Sequence, residues 1–160
     1  MNLAEKVKSK FPNLVQETLE QHGDQVVVVK KDAIKSLASS LKTDPDFQFN
    51  LLTDLTAADY LHWAEKEIRF EVIYNLFSLP KNHRLFIKAR VPETDPTIDS
   101  VASLWPAANW YEREIWDMFG IRFKGHPGLK RILMYEGFDG HPLRKDYPYN
   151  KRQPLIGPMN

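Results

Sequence analysis

Two runs of alternating apolar and polar residues, 68–79 and 84–91, face each other across the turn "LPKNHR" and commit the middle of the chain to sheet. Ile68, Phe70, Val72, Tyr74 and Leu76 share one face of the first run, with Arg69, Glu71 and Asn75 on the other. Leu85, Ile87, Ala89 and Val91 repeat the period in the second. A period of two puts one face on a core, and the short turn makes the pair antiparallel. The run Gln25–Val29 (QVVVV) is continuous and β-branched, which suits a strand buried on both faces inside the sheet.

Helical spacing surrounds these strands. Leu3, Val7 and Phe11 predict an opening helix, perturbed at Pro12 and resumed by Leu14, Val15 and Leu19 as far as Gly23-Asp24. Asp32 is placed to cap a second helix on the stripe Ala33, Ile34, Leu37, Ala38 and Leu41, ending near Thr43. Phe47, Phe49 and Leu51 predict a half-buried strand. Asp95-Pro96 reads as N-cap and first residue of a short helix to about Trp105, and Pro106 starts another. The expected fold class is α+β: a mixed β-sheet with an antiparallel hairpin, covered by helices, followed by an extended Pro/Gly-rich basic C-terminal arm. The predicted division is an α+β domain over 1–119 and an arm of the same domain over 120–160.

Charge and composition mark that division. Residues 1–119 carry 14 Lys/Arg against 18 Asp/Glu, whereas residues 120–160 carry 8 against 3, with six of the seven glycines and five of the eleven prolines. Such a tail resists regular secondary structure. Cysteine is absent, which excludes disulfides, thiolate metal sites and a cysteine nucleophile in this chain. The first ten residues hold no apolar h-region, and no run approaches the ~20 apolar residues of a membrane span, so a soluble cytoplasmic chain is expected.

In the predicted helix "AANWYEREIWDMFG", Tyr111, Ile115, Trp116, Met118 and Phe119 share a broad apolar side, and Arg113, Glu114 and Asp117 point away. Glu112 falls on the apolar side, where an unpaired carboxylate is costly. A buried cationic partner is therefore expected, Arg131 or Arg144. Arg113 and Asp117, four apart, are expected to pair weakly on the other face, and Gly120 to end the helix in the left-handed region.

The tail repeats Gly-His-Pro at Gly125–Pro127 and Gly140–Pro142. Metal binding by His126 and His141 would need carboxylates such as Asp139 or Asp146 to converge on them, and no spacing enforces that; histidines bonded to backbone within turns fit better. Phosphate or nucleic-acid binding through Lys130, Arg131, Arg144, Lys145, Lys151 and Arg152 conflicts with the near-neutral whole and the missing glycine fingerprints. A stiff basic strap, whose prolines lower the entropy lost on docking and whose arginines match carboxylates, reads best as an interaction element.

The stretches Tyr111–Leu133 (YEREIWDMFGIRFKGHPGLKRIL) and Gly140–Pro148 (GHPLRKDYP) resemble the thirty-kilodalton subunit of respiratory NADH:quinone oxidoreductase, complex I. The resemblance implies a non-catalytic peripheral-arm subunit of a proton-translocating enzyme, contributing assembly and alignment. It implies FMN, iron–sulfur clusters and quinone in partner subunits and none here. The partners would be the quinone-site subunit, the cluster-bearing subunit and other peripheral-arm subunits, on the cytoplasmic side of a bacterial inner membrane. Neither nucleic acid nor a membrane span of its own is implied. Relatives in membrane-bound hydrogenase and plastid complexes are the alternative setting, ahead of a metal-assisted enzyme. By the resemblance, Glu112, Arg113, Glu114, Asp117, His126, Arg131, His141, Arg144, Lys145 and Asp146 are structural or interface residues, and Arg144 is expected to meet a partner's carboxylate.

Overall fold

The computed structural model describes residues 2–65 and 67–154. Its elements in chain order are α1 (Leu3–Lys10), β1 (Val15–Gln21), β2 (Asp24–Lys30), α2 (Ile34–Thr43), β3 (Leu51–Asp59), β4 (Phe70–Ser78), β5 (His83–Val91), β6 (Thr97–Asp99), α3 (Ala108–Phe119) and β7 (Arg122–Lys124). Five strands form one sheet in the order β1-β2-β5-β4-β3, and β6 and β7 form a separate parallel pair. All pairings in the main sheet are antiparallel except β2 with β5, so the architecture is the expected α+β mixed sheet.

The β4–β5 hairpin sits where the alternation places it, with Phe70 opposite Val91 and Ser78 opposite His83. Phe70, Val72, Tyr74, Leu76, Leu85, Ile87, Ala89 and Val91 are buried on one face. Intermediate exposure at Ile73, Asn75, Phe77, Phe86 and Lys88 marks the other. β2 is buried from Val26 to Val29, in the sheet interior as its composition requires. α1 opens with a reciprocal cap: Asn2 Oδ1 accepts from the Glu5 N–H at 2.9 Å and the Glu5 carboxylate accepts from the Asn2 N–H at 3.0 Å.

Four local expectations are corrected. Residues 15–21 form a strand, not a resumed helix: His22 and Gly23, both at positive φ, make the two-residue turn of a β1–β2 hairpin, and a bulge between Val15 and Glu17 disguises the alternation. Phe47 and Phe49 are buried in a loop, and the strand starts only at Leu51. α2 is entered through a 3₁₀ turn, Lys31–Ala33, with no side-chain cap from Asp32. The expected helix after Asp95-Pro96 is instead β6 and a turn in which the Leu104 and Trp105 N–H groups donate to Val101 O. β-branched Thr97 and Ile98 suit a strand, and their partner β7 lies 25 positions on, where Thr97 pairs with Arg122.

α3 packs against β3 and is held at its far end by β7, where Ile121 just before the strand and Phe123 within it are buried. Gly120 ends the helix at φ 79°, as expected. From Gly125 to Pro154 the described chain has no helix or strand. No helix among the described residues is long and apolar enough to cross a membrane.

Candidate functional site

The residues singled out in the sequence gather around α3 and the segment that follows it. α3 is covered twice, by the sheet on one side and by residues 129–147 on another, so polar side chains are buried on both. Two expectations at the helix itself are corrected for that reason.

Glu112 is fully buried, as expected, but its partners are not arginines. The carboxylate accepts from the Ser100 hydroxyl at 2.6 Å and from the Val101 N–H at 2.7 Å. It thereby fixes the turn after β6. Burial pushes its carboxyl up to about 7, against which the two hydrogen bonds and the more distant Lys35 act. Tyr74, on β4, lies close enough for the Glu112 charge to push its phenol up further than burial alone. An acid whose folded pKa is raised stabilises the fold relative to a normal carboxyl only below its unfolded pKa. That contribution is lost as pH rises through about 7. The expected result is that unfolding free energy falls by a few kcal/mol from this group between about pH 4.5 and 7. Glu112→Gln, which keeps the shape and removes the titration, should flatten that slope in urea melts across the range.

Asp117 is also fully buried, and the weak surface pair expected with Arg113 does not form. Its Oδ2 accepts three consecutive backbone N–H groups, Ile132 at 3.0 Å, Leu133 at 2.8 Å and Met134 at 2.9 Å. Its Oδ1 accepts from Arg131 Nη1 at 2.5 Å. Burial pushes this carboxyl up, but the Met134 amide, Arg131 and the other two amides outweigh it and hold it below the ordinary range. Arg131 is committed in turn: Nη2 donates to Phe138 O at 2.8 Å and Gly140 O at 3.1 Å, and the guanidinium lies 5.8 Å from the Trp116 ring and 5.7 Å from that of Phe138. Arg113 donates to Lys130 O at 3.1 Å and Arg131 O at 2.9 Å while lying over Trp110. Glu114 is exposed.

The doubled Gly-His-Pro straps the two ends of one helix. His126 Nε2 donates to Asn109 O at 3.0 Å and its Nδ1 accepts from the Gly128 N–H at 3.0 Å, the pattern of a neutral ring used on both nitrogens. His141 Nδ1 donates to Asp117 O at 2.9 Å, and the Leu143 N–H to Met118 O at 3.0 Å. The second copy thus supplies donors to carbonyls that a helix C-terminus leaves unmatched. Gly120 permits the close approach, since a Cβ there would lie 2.7 Å from the His141 ring. The carboxylates considered as metal ligands are engaged elsewhere, Asp139 with Lys151 at 2.5 Å and Asp146 with Arg69 at 2.7 Å. Among the described residues no group of three or more His, Asp or Glu is arranged to hold a metal ion.

A second anchor has no counterpart among the sequence expectations. Arg69, nearly buried, lies at the mouth of the β3–β4 connection and forks onto Asp59, Nε to Oδ1 at 3.0 Å and Nη2 to Oδ2 at 2.8 Å. It also holds Asp146 (Nη2 to Oδ1 at 2.7 Å, Nη1 to Oδ2 at 3.0 Å) and Glu93. The Lys145 N–H donates to Asp59 Oδ2 at 2.9 Å, while its side chain is exposed. Arg144 pairs with Glu93 and Asp146, each at 3.2 Å, over the Phe70 ring. Hydrogen bonds from Arg69, against the opposing effect of burial, hold the Asp146 carboxyl well below its ordinary value. Arg144 therefore already has carboxylates of its own chain. In the sequence Arg69 is legible only as a polar-face residue of the predicted strand 68–79, because Asp59 and Asp146 lie 10 and 77 positions away.

Comparison with known proteins bears on the whole chain. The model of the family described as respiratory-chain NADH dehydrogenase, 30 kDa subunit, matches residues 27–153. Proteins named as the C subunit of NADH-quinone oxidoreductase are similar along nearly the full length: that of Geotalea uraniireducens is 46% identical over 157 residues, 97% of this chain and 93% of the relative, and that of Geobacter sulfurreducens 43% identical over 157 residues, 97% and 94%. Among solved structures, the trypsin-resistant fragment of Nqo5 superposes with a TM-score of 0.68 at 35% identity, over 78% of this chain and 95% of that one. A chain of an archaeal membrane-bound sulfane sulfur reductase, at 23% identity and a TM-score of 0.73 over 92% and 85%, shares the fold.

Proposed function

The chain belongs to the family of the 30 kDa subunit of respiratory-chain NADH dehydrogenase, also named the C subunit of NADH-quinone oxidoreductase, and from that membership we propose that it serves the complex as a cofactor-free aligning subunit. In this reading it packs against the quinone-site subunit and the cluster-bearing subunit, on the cytoplasmic side of a bacterial inner membrane. FMN, the iron–sulfur clusters and quinone belong to its partners, and its own side chains take no part in the chemistry.

The observation that carries the reading is the commitment of the family-like stretches to structure. Asp117 accepts three amide N–H groups and one guanidinium, and both histidines serve the backbone of α3. A segment without helix or strand is thereby held in one shape at little further entropic cost on docking, as an alignment element requires. The names of the relatives favour the NADH-quinone setting over hydrogenase-type or plastid complexes.

The test is affinity capture of the tagged chain from detergent-solubilised membranes of its own host. Flavin and iron–sulfur absorbance, with NADH:quinone reductase activity, should accompany it. Recovery of the chain without flavin or clusters overturns the proposal.

A further inference from the structure

α1, the 44–47 turn after α2 and the β4–β5 turn meet around a cavity of about 690 Å³, and none of its lining residues belongs to the arm. Leu3, Lys6 and Lys10 reach it from one side of the helix, at spacings of three and four. Phe47 and His83 line it as well and tie the two turns together, with His83 Nε2 donating to Phe47 O at 3.1 Å. Asp44 and Asp46 both pair with Lys10, at 2.7 and 2.6 Å, which fastens the first turn to the helix. Three separate parts of the chain thus hold the walls.

The charge left over in this cavity is of one sign. Asp46 is the one carboxylate among the described residues that line it, and Lys10 neutralises it. Lys6 on α1 and Lys81 on the β4–β5 turn line the same cavity, are exposed, and have no ion pair among the described residues. The Ser9 hydroxyl adds a neutral donor. Two unpaired ammonium groups balance an anion of charge about −2, which a phosphate monoester approaches at neutral pH and a single carboxylate does not. Lysine acts on phosphate as a point charge and needs no forked geometry.

We propose that this cavity is a phosphate site, in which Lys6 and Lys81 bind the charged oxygens of a phosphate monoester and the Ser9 hydroxyl donates to a third. The site goes beyond the aligning role and does not depend on it. Its volume exceeds that of the phosphate group alone, so the organic part of the ester fits beside Leu3 and Phe47. A lipid headgroup and a soluble ester share this chemistry, and the experiment separates them.

Inorganic phosphate is titrated into the full chain at constant ionic strength, chloride being exchanged for phosphate, while backbone amide resonances are followed by NMR. Saturable shifts centred on Lys6, Ser9 and Lys81 are expected in the low millimolar range. Lys6→Ala and Lys81→Ala should each weaken the affinity about ten-fold, the worth of one charge-assisted hydrogen bond. Lys8→Ala, on the same helix but outside the cavity, should change it by less than about two-fold. All three lysines are exposed, so the melting temperatures of the variants should stay within about 2 °C of wild type. Phosphate shifts accompanied by flotation with vesicles containing phosphatidic acid, lost in Lys81→Ala, identify a lipid headgroup as the source. The same shifts without flotation identify a soluble ester. Shifts that do not saturate, that Lys6→Ala and Lys81→Ala leave unchanged, or that Lys8→Ala weakens equally overturn the proposal. So does binding of a glutamate-rich peptide at the same lysines with no response to phosphate, which would make the occupant an acidic protein segment.

Discussion

Asp117→Ala is expected to destabilise the isolated chain by about 3–5 kcal/mol, as loss of one partner from a buried ion pair does. For a domain of this size that lowers the melting temperature by roughly 10 °C. The carboxylate is fully buried and satisfies four donors from the segment that follows the helix. Its removal leaves the Ile132, Leu133 and Met134 amides and the Arg131 guanidinium competing for water they can reach only by pulling the loop away from α3. Asp117→Asn, which keeps an acceptor but no charge, should fall between the two. Since the folded carboxyl is held below its ordinary value, its contribution is present above the unfolded pKa and is lost as pH falls through the folded one. The gap between wild type and Asp117→Ala must therefore narrow in acid. Thermal melts at pH 7 and pH 3 measure both quantities, and a pH 7 loss below about 1 kcal/mol would show that Asp117 does not anchor the segment.

Arg69→Ala is expected to cost a similar amount and to free residues 144–146. The guanidinium faces Asp59, Asp146 and Glu93 together, and Asp59 has no side-chain exposure. Truncation leaves an excess of carboxylates with Arg144 as their remaining guanidinium. Trypsin should then cleave after Arg144 and Lys145 at least about ten-fold faster, in proportion to the population of the opened arm. Arg69→Lys keeps the charge but cannot fork onto Asp59 and Asp146 at once, so it should rescue only part of the protection. In wild type, burial of Asp59 is outweighed by Arg69 and two amides, which keep its carboxyl low. Without Arg69 the burial dominates, so the difference between wild type and variant should shrink as pH falls. Unchanged cleavage in Arg69→Ala would remove this residue as the arm's receptor.

What is legible in the sequence is local. The β4–β5 hairpin and the buried β2 follow from period and composition over fewer than ten residues each, and Gly120 from its place at the end of a stripe. β3 is obscured by a bulge between Leu52 and Asp54, which puts buried Leu52 and Leu55 three apart where an unbroken strand would show two or four. β6 is obscured because three residues carry little pattern and their partner is remote. The candidate residues can be found in this way, but not all of their contacts. A helical projection gives α3 one inside and one outside, whereas the arm supplies a second inside; hence the projection leaves Asp117 in solvent and assigns to Glu112, correctly buried, the arginine that Asp117 holds. Arg69 needs three carboxylates from three separate parts of the chain, and no window of sequence contains them.

The central pairing of β2 with β5 joins residues such as Val26 and Phe86 that are sixty positions apart. As the chain leaves the ribosome, the β1–β2 hairpin exists long before the strand that seals its inner edge, with Val26 to Val29 presenting unsatisfied amides and carbonyls along a β-branched, uncharged stretch between Asp24 and Lys30. Such an edge is a template for pairing between nascent chains. Synthesis halted before His83 should thus yield fragments that coaggregate or occupy holdase chaperones, while chains carried past Val91 close the gap themselves.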